Sequence, residues 1–183
     1  MSSKNSEEAF ISVDIETAGP IPGQYSMLSL GACLVEDRDQ SFYVELRPIN
    51  DNADPKALEV SRFSLSSLRE SGEDPHAGFV AFRDWIKKVS GLRRPVFVGF
   101  NAAFDWSFVN WYFHTCLEDN PFGFAPLDIK AYYMGLSGCA WSDTKSSRLP
   151  SEYQSQPHEA HNALNDAKAQ AETFLKLLET PRR

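Results

Sequence analysis

Two carboxylates close an apolar run near the start of the chain. The run "AFISVDIET" carries Asp14 and Glu16 two residues apart. In a β-strand, residues i and i+2 point to the same face, so these two acids would stand side by side. Neighbouring carboxylates repel each other, and burying them without a positive partner is costly. Two neighbouring acids with no other signal can equally face water on an edge strand. Whether they form a buried site or a solvated surface pair therefore has to be judged from the rest of the sequence.

Two further acids occur in apolar or small-residue surroundings. Asp105 follows the apolar run 95–100 in "VGFNAAFDWSF", and Asp166 lies in "HNALNDA" towards the end of the chain. Taken singly, Asp105 would be an acid that stabilises a helix N-terminus. Asp166 alone would form a surface pair with Lys168 or His161. Taken together, the four acids indicate a common site.

Small residues on the last predicted helix would let Asp166 approach the first strand. One face of "NALNDAKAQAETFLKLL" carries an alanine at every fourth position, namely Ala163, Ala167 and Ala171. A helix with such a face can pack closely on a sheet, which would bring Asp166 near Asp14 and Glu16. Four carboxylates at one point require cations, and ligand sets made only of oxygen suit magnesium or manganese.

Composition limits the classes of partner. The chain has 183 residues, is 42% hydrophobic and 13% aromatic, and carries a formal net charge of −7. This length fits one well-buried domain, and the composition is that of a globular protein. The negative charge argues against a basic surface that coats nucleic acid. It is compatible with an enzyme that holds a phosphate locally through metal ions.

The cysteines and the apolar segments bear on the cellular compartment in which the protein is expected to work. Cys33, Cys116 and Cys139 are widely spaced and form no CxxC pair or Cys/His cluster. This argues for reducing surroundings and against a structural zinc site. No apolar stretch approaches the length of a membrane helix, and "MSSKNSEEAF" lacks the order of a signal peptide. We therefore expect a cytoplasmic protein.

Strand and helix patterns predict one α/β domain. A meander of three strands at 9–15, 27–35 and 41–46 precedes a buried strand at 95–100 and a short strand within "PFGFAPLDIKAYYMGL". Helices should begin after Asp54 and Asp74, each followed by proline, and should also form over "NAAFDWSFVNWYFHTCL", within "PFGFAPLDIKAYYMGL" and over the alanine-rich segment. We expect a mixed sheet flanked by helices over 9–178, with a flexible N-terminus, 1–8, and a C-terminal tail, 179–183.

Aromatic side chains are dense in the helix after Asn101. The cluster comprises Trp106, Phe108, Trp111, Tyr112 and Phe113. It exceeds what one helix face would bury. The surplus would form either a homodimer surface or a large core.

Three motifs resemble those of the DEDDh 3′–5′ exonucleases, the group that contains polymerase proofreading domains, RNase T and oligoribonuclease. "SVDIET" resembles the first motif, "VGFNAAFDWSF" the second, G-H-N-x-x-F-D-x-x-F, and "HNALNDA" matches the third, H-x-A-x-x-D-A. The resemblance spans roughly residues 9–178 and implies a ribonuclease H-like, mixed five-stranded sheet. One departure is Phe100, where many members have histidine before the asparagine.

The resemblance also implies roles for individual residues. Four acids would be catalytic and bind two divalent cations, Mg²⁺ or Mn²⁺: Asp14, Glu16, Asp105 and Asp166. His161 would be the general base; His158, three residues earlier, competes for that role, but the spacing to Asp166 favours His161. Thr17 and Ala18 would bind substrate beside the terminal nucleotide, and Asn101 would also bind substrate.

The implied reaction is hydrolysis of terminal phosphodiesters at single-stranded or frayed DNA or RNA 3′ ends, with release of nucleoside 5′-monophosphates. One alternative is a phosphodiesterase that acts on oligonucleotides or dinucleotides with the same site. Another is a non-catalytic nucleic-acid-binding domain, although such a domain has no need of all five groups. The sequence does not distinguish DNA from RNA.

The Ser-, Gly- and Pro-rich segment 137–158 has no clear period and would be either functional or disordered. Lys145 and Arg148 could contact a strand, and Trp141 or Tyr153 could stack on a base. The alternative is an ordinary solvated loop. We expect the segment to be poorly ordered without substrate and to be protected when nucleotide and metal bind.

Overall fold

Five strands form one mixed sheet in the part of the chain that the structure describes. The computed structural model describes residues 7–156 and 161–181. The strands are β1 (Glu8–Thr17), β2 (Met27–Leu34), β3 (Asp37–Glu45), β4 (Arg94–Gly99) and β5 (Leu127–Asp128). Their order is β3-β2-β1-β4-β5; the first three pair antiparallel, and β4 runs parallel to both β1 and β5. The predicted mixed five-stranded sheet is thus confirmed, whereas the predicted tails lie partly outside the described residues.

Within the described residues, six helices connect and cover the strands. They are α1 (Pro55–Ser61), α2 (Leu65–Ser71), α3 (Pro75–Ser90), α4 (Ala103–Cys116), α5 (Ile129–Ser137) and α6 (Ala163–Leu178). The Asp54 and Asp74 carboxylates accept backbone N–H bonds at the starts of α1 and α3, as the Asp-Pro pairs predict. The helix α2 was not predicted, because this two-turn helix buries only Leu68 and so shows no apolar period.

The two faces of the sheet pack against different helices. On one face, Val13 and Ile15 belong to a core built with residues of α3 and α4. On the other face, Cys33 and Val98 pack with residues of α5 and α6. Because side chains alternate along β1, Asp14 and Glu16 lie on the α6 side of the sheet.

The aromatic cluster of α4 is explained by the core. Phe108, Tyr112 and Phe113 are fully buried, and Trp106 and Trp111 pack against the same core. The Tyr112 ring stacks on Phe79 of α3 with a centroid distance of 5.2 Å. A large core therefore accounts for these side chains without a second copy of the chain.

The sheet opens where the acids lie. The pairing of β1 with β4 ends at Ser12 opposite Val98, whereas β1 continues along β2 as far as Thr17. Beyond Ser12, this edge of β1 therefore pairs with no strand among residues 7–156 and 161–181. The chain leaves β4 at Gly99 and turns into α4, which leaves a cleft at the carboxyl ends of these two parallel strands.

Of the predicted long segment 137–158, Ser137 is the last residue of α5, and the described remainder, 138–156, is folded onto the domain. It contains two 3₁₀ turns, Trp141–Asp143 and Ser146–Arg148, and it buries Thr144 and Leu149. The remaining residues of the segment, including His158, lie outside the described residues. The expected ordering by substrate stays a prediction.

Two properties of the chain bear on its surroundings. Cys33, Cys116 and Cys139 are free thiols. Within residues 7–156 and 161–181, no helix combines the length and apolar character needed to cross a bilayer.

Candidate active site

Three carboxylates from β1 and α6 converge in the cleft. One oxygen each of Asp14, Glu16 and Asp166 lies within 4.8 Å of the other two. Asp166 lies in the first turn of α6, which begins after Asn162, whose side-chain oxygen accepts the Asn165 N–H at 3.1 Å. The structure thus brings together three acids that were predicted to meet.

A glycine on β2 allows α6 to approach this closely. Gly31 pairs with Asp14 across the sheet. A Cβ atom at Gly31 would lie 2.2 Å from the backbone nitrogen of Leu164 and 2.3 Å from the carbonyl carbon of Ala163. Ala163, Ala167 and Ala171 of α6 are fully buried, which confirms the predicted small-residue face.

We predict that Gly31→Ala moves the start of α6 and disturbs the acid cluster. The clash involves backbone atoms, which cannot rotate away, and overpacking of this kind costs about 1–3 kcal/mol of unfolding free energy. The rise in melting temperature caused by Mn²⁺ should shrink as well, because Asp166 is displaced. Differential scanning calorimetry with and without Mn²⁺ measures both effects. A variant that is as stable and as metal-responsive as the parent would contradict this role for Gly31.

Asp105 of α4 lies beside the cluster, attached to β1. Its side chain is only 7% exposed, and its Oδ1 accepts the backbone N–H of Ile15 at 3.2 Å. This bond is available because β1 has no strand partner on that edge beyond Ser12. Asp105 is thereby fixed to β1 between Asp14 and Glu16. It lies outside the group of three carboxylates that meet within 4.8 Å among the described residues.

Burial and mutual repulsion raise the pKa values of these carboxyl groups. Burial, assisted by the charge of Asp166, raises the pKa of Glu16 to about 7. Burial also raises the pKa of Asp105 to about 7, in spite of the backbone N–H groups that favour its charged form. The pKa of Asp14 lies well above its ordinary value because it is buried beside three other acids. Such a cluster of oxygen ligands fits hard divalent cations, which would offset the repulsion.

The raised pKa values predict how stability depends on pH without metal. The folded state binds these protons more tightly than the unfolded state does, so the contribution of these groups to stability is largest below the ordinary carboxyl pKa values and is lost as pH rises through about 7. The melting temperature in EDTA should therefore fall between about pH 5 and about pH 8, and saturating Mn²⁺ should reduce that fall. A metal-free melting temperature that rises over this range would contradict the arrangement.

His161 is attached to the cluster through its backbone. Its N–H donates to Oδ2 of Asp166 at 2.9 Å, and its φ of 65° turns the chain sharply before α6. The residue is exposed, so the imidazole can meet a ligand. The competing His158 lies outside the described residues, so the choice between the two histidines stays a prediction.

The three predicted substrate residues differ in accessibility. Asn101 is exposed at a φ of 69° in the turn before α4. The Thr17 hydroxyl donates to the carbonyl of Gly19 at 3.0 Å. Ala18 is fully buried; its N–H donates to the Ser26 carbonyl at 2.8 Å, and its own carbonyl accepts the Asp54 N–H at 2.7 Å. Asn101 is therefore more accessible to a nucleotide than Ala18 is. The substrate-binding roles of all three residues stay predictions.

Two polar side chains that support the site were given no specific role by the sequence. The Gln170 amide donates to Oδ1 of Asp14 at 2.5 Å and accepts the Phe100 N–H at 2.7 Å. Asp128 accepts the Ala102 N–H at 2.7 Å and also caps α5, so it holds the turn before α4. The position of Asp128 before a helix was a usable signal. Nothing in the pattern of α6 marks Gln170.

The segment 138–156 borders the cleft, but its predicted contact residues are largely engaged within the protein. Arg148 pairs with Asp143 at 2.9 Å, and Tyr153 packs edge-on against Tyr133. Trp141 is 52% exposed, with the Lys130 ammonium 4.2 Å from its ring centre. Of the aromatic candidates in this segment, Trp141 is therefore the more accessible to a base.

Comparison with known proteins shows to which family the chain belongs. No family model matches the chain. The chain is 48% identical over 172 residues to the 3′-5′ DNA exonuclease Cap18 of Escherichia coli. The aligned region covers 93% of this chain and 92% of that protein. It is 27% identical to Ribonuclease T of Enterobacter sp. (strain 638), over 91% of this chain and 79% of that protein.

Solved structures share the fold. The nuclease domain of 3′hExo, a DEDDh family member bound to rAMP, superposes with a TM-score of 0.75 at 15% identity, over 97% of this chain and 94% of that one. E. coli Exonuclease I, in a zinc-bound complex with single-stranded DNA, superposes with a TM-score of 0.65 at 17% identity, over 94% of this chain and 40% of that one. The expected ribonuclease H-like fold is confirmed, and the alternative of a non-catalytic binding domain is set aside. With its nearly full-length similarity to a 3′–5′ exonuclease and its three motifs in order, the chain is an enzyme that belongs to the DEDDh family of 3′–5′ exonucleases.

Proposed function

We propose that this enzyme hydrolyses the terminal phosphodiester at the 3′ end of single-stranded or frayed DNA and releases nucleoside 5′-monophosphates. The observation that carries the proposal is the meeting of Asp14, Glu16 and Asp166 in a cleft at the ends of two parallel strands. Asp105 is attached to the same stretch of β1. The 48% identity to a protein named as a DNA exonuclease supports DNA, whereas the relative named as a ribonuclease is only 27% identical.

The four carboxylates are proposed to hold two divalent cations, Mg²⁺ or Mn²⁺. All the donor atoms are carboxylate oxygens, which is the preference of these hard ions. Bound there, the cations would lower the pKa of the attacking water and stabilise charge on the leaving 3′-oxygen. Asp105 is held by the Ile15 N–H, so its second oxygen can turn towards the cluster. Asp14 and Glu16 are oriented by the alternation of β1.

His161 is proposed to accept the proton of the attacking water. Imidazole exchanges protons near neutral pH, which suits a general base. The backbone bond from His161 to Asp166 fixes the start of the side chain relative to the cluster. The residue is exposed, so its imidazole can reach a water molecule at the mouth of the cleft.

Few contacts beyond the cleft need to hold the substrate. The chain is acidic, and no broad basic surface is expected to grip a long strand. Phe104 directly precedes Asp105 and is 37% exposed, so its ring offers a face on which the terminal base can stack. The 3′ end must be unpaired to reach the carboxylates, which favours single strands and frayed ends over intact duplex.

The expected cytoplasmic location and the expected homodimer are not needed for the proposed activity. A cytoplasmic location fits the three free thiols. A homodimer is no longer needed to explain the aromatic residues of α4, and sedimentation velocity would test for one.

Digestion of 5′-labelled single-stranded DNA and RNA of the same sequence, side by side with Mg²⁺, tests the proposal. The expected result is a ladder of products that shortens from the 3′ end, faster for DNA than for RNA. A duplex with two blunt, stable ends should be degraded more slowly than the single strand. Internal cuts, shortening from the 5′ end, or a clear preference for RNA would overturn the corresponding part of the proposal.

A further inference from the structure

We infer that Gln170 is a positioning residue that fixes the orientation of the Asp14 carboxylate for metal binding, an inference that rests on the proposed metal-dependent function. Gln170 lies one helical turn after Asp166 on α6. Its Nε2 donates to Oδ1 of Asp14 at 2.5 Å, and its Oε1 accepts the backbone N–H of Phe100 at 2.7 Å. One side chain thus connects α6, the centre of β1 and the end of β4.

The direction of the Gln170 amide is determined by its partners. A backbone N–H can only donate, so the atom that faces Phe100 must be the carbonyl oxygen of the amide. The amino group must then face Asp14, where it meets an acceptor. A flipped amide would lose both hydrogen bonds, so the two contacts fix the orientation together.

A neutral donor suits this position better than a cation would. Asp14 lies beside three other carboxylates, whose repulsion would push its side chain away from the cluster. The Gln170 amide holds one oxygen of Asp14 without adding charge, so the other oxygen can stay directed at the cluster. A lysine or arginine in its place would neutralise Asp14 and compete with divalent ions for it. Partners that orient a metal ligand typically contribute a factor of about 10–100 in metal affinity or activity.

The hydrogen bond between Gln170 and the Phe100 N–H also connects the site to the second motif. Phe100 occupies the position where many relatives have histidine, and Gln170 uses its backbone N–H rather than its side chain. Phe100 immediately precedes the turn that leads into α4 and Asp105. Gln170 therefore links the helix that supplies Asp166 to the segment that supplies Asp105, across Asp14.

The test compares Gln170→Met with the parent in two measurements. Methionine keeps the length of the side chain and removes both hydrogen bonds. We expect the Mn²⁺ concentration that gives half of the rise in melting temperature to increase by about tenfold or more. In digestion of labelled DNA, kcat should fall by a similar factor at limiting Mn²⁺, KM for DNA should change little, and excess Mn²⁺ should restore much of the rate. A residue with a merely structural role would not show this rescue by metal.

Two more variants keep the test decisive. Gln154→Met is the matched control, because it removes one hydrogen bond, to the Leu149 carbonyl at 2.8 Å, in the segment before α6. Its Mn²⁺ midpoint should equal that of the parent. Gln170→Asn keeps the amide but is one methylene too short to reach both partners, and it replaces Gln170→Met if the latter fails to fold.

The inference is overturned if folded Gln170→Met or Gln170→Asn keeps a Mn²⁺ midpoint within about twofold of the parent, since that is well below the effect expected of such a partner. The melting measurement needs no nuclease activity. If the parent binds Mn²⁺ but degrades no nucleic acid, the proposed function fails while the role of Gln170 is still tested.

Discussion

Asp14→Asn is expected to abolish exonuclease activity and, at the same time, to raise the melting temperature of the metal-free protein. Asp14 is buried beside Glu16, Asp105 and Asp166, and its raised pKa shows that its charge is disfavoured there. Asparagine has nearly the same shape without that charge, so the folded state gains stability when no metal is present. The same change removes a proposed metal ligand. Loss of several kcal/mol of transition-state stabilisation corresponds to a rate lower by about a thousandfold or more.

This prediction is measured by calorimetric melting at alkaline pH in EDTA and in millimolar Mn²⁺, together with digestion of labelled DNA. The parent should gain stability with Mn²⁺ by mass action, and Asp14→Asn should gain much less. Asp84→Asn is the matched control, because Asp84 is an exposed acid on α3 that pairs with its neighbour Arg83. An Asp14→Asn enzyme that is less stable in EDTA, or that keeps near-parental activity, would contradict the account of the cluster.

His161→Ala is expected to lower the rate without lowering metal affinity. General-base catalysis typically contributes about a hundred- to ten-thousand-fold, so activity should fall by about that factor and remain detectable. The hydrogen bond to Asp166 comes from the backbone N–H, which alanine retains, so the rise in melting temperature with Mn²⁺ should persist. Higher pH should recover part of the rate, because hydroxide can replace the base. His161→Asn is a useful second variant, because asparagine tolerates the positive φ at this position better than alanine does.

Two other variants distinguish the base from the ligands. Asp166→Asn should lose activity together with apparent Mn²⁺ affinity, and alkaline pH should not restore it. His158→Ala should stay near parental activity. If His158→Ala were the impaired variant and His161→Ala were not, the assignment of the third motif would be wrong.

The parts of the site that the sequence predicts are those that depend on local spacing. Alternation along a strand places Asp14 and Glu16 on one face, and an alanine every fourth residue gives α6 its close-packing face. The Asp-Pro pairs at residues 54–55 and 74–75 predict two helix starts for the same local reason.

The parts that the sequence misses depend on partners far away along the chain. The requirement for glycine at position 31 exists only because Ala163 and Leu164 of α6 cross that point of β2. The role of Gln170 depends on Asp14, which is 156 positions away along the chain. The hydrogen bond from the Ile15 N–H to Asp105 can form only because the pairing of β4 with β1 ends at Ser12, before Ile15. Contacts of this kind leave no periodic pattern to detect. The helix α2 was missed because a single buried leucine shows no period.

The choice between DNA and RNA illustrates the same limit at the level of function. Discrimination between the two sugars depends on contacts to the 2′-hydroxyl and on the shape of the cleft, which no motif encodes. The preference for DNA proposed here comes from similarity to a named DNA exonuclease rather than from a residue of the site. A swap of the terminal nucleotide alone, deoxyribose for ribose on one DNA strand, would locate any discrimination at the cleft.

The most direct test of the central claim is digestion of a single-stranded DNA oligomer in water enriched in oxygen-18, followed by mass spectrometry of the products. If Asp14, Glu16, Asp105 and Asp166 serve metal-dependent attack of water on the terminal phosphate, each mononucleotide is a 5′-monophosphate that carries one oxygen-18 atom. The shortened strand then ends in an unlabelled 3′-hydroxyl, and EDTA stops the reaction. Nucleoside 3′-phosphates, a label on the shortened strand, or unchanged digestion in EDTA would contradict the claim.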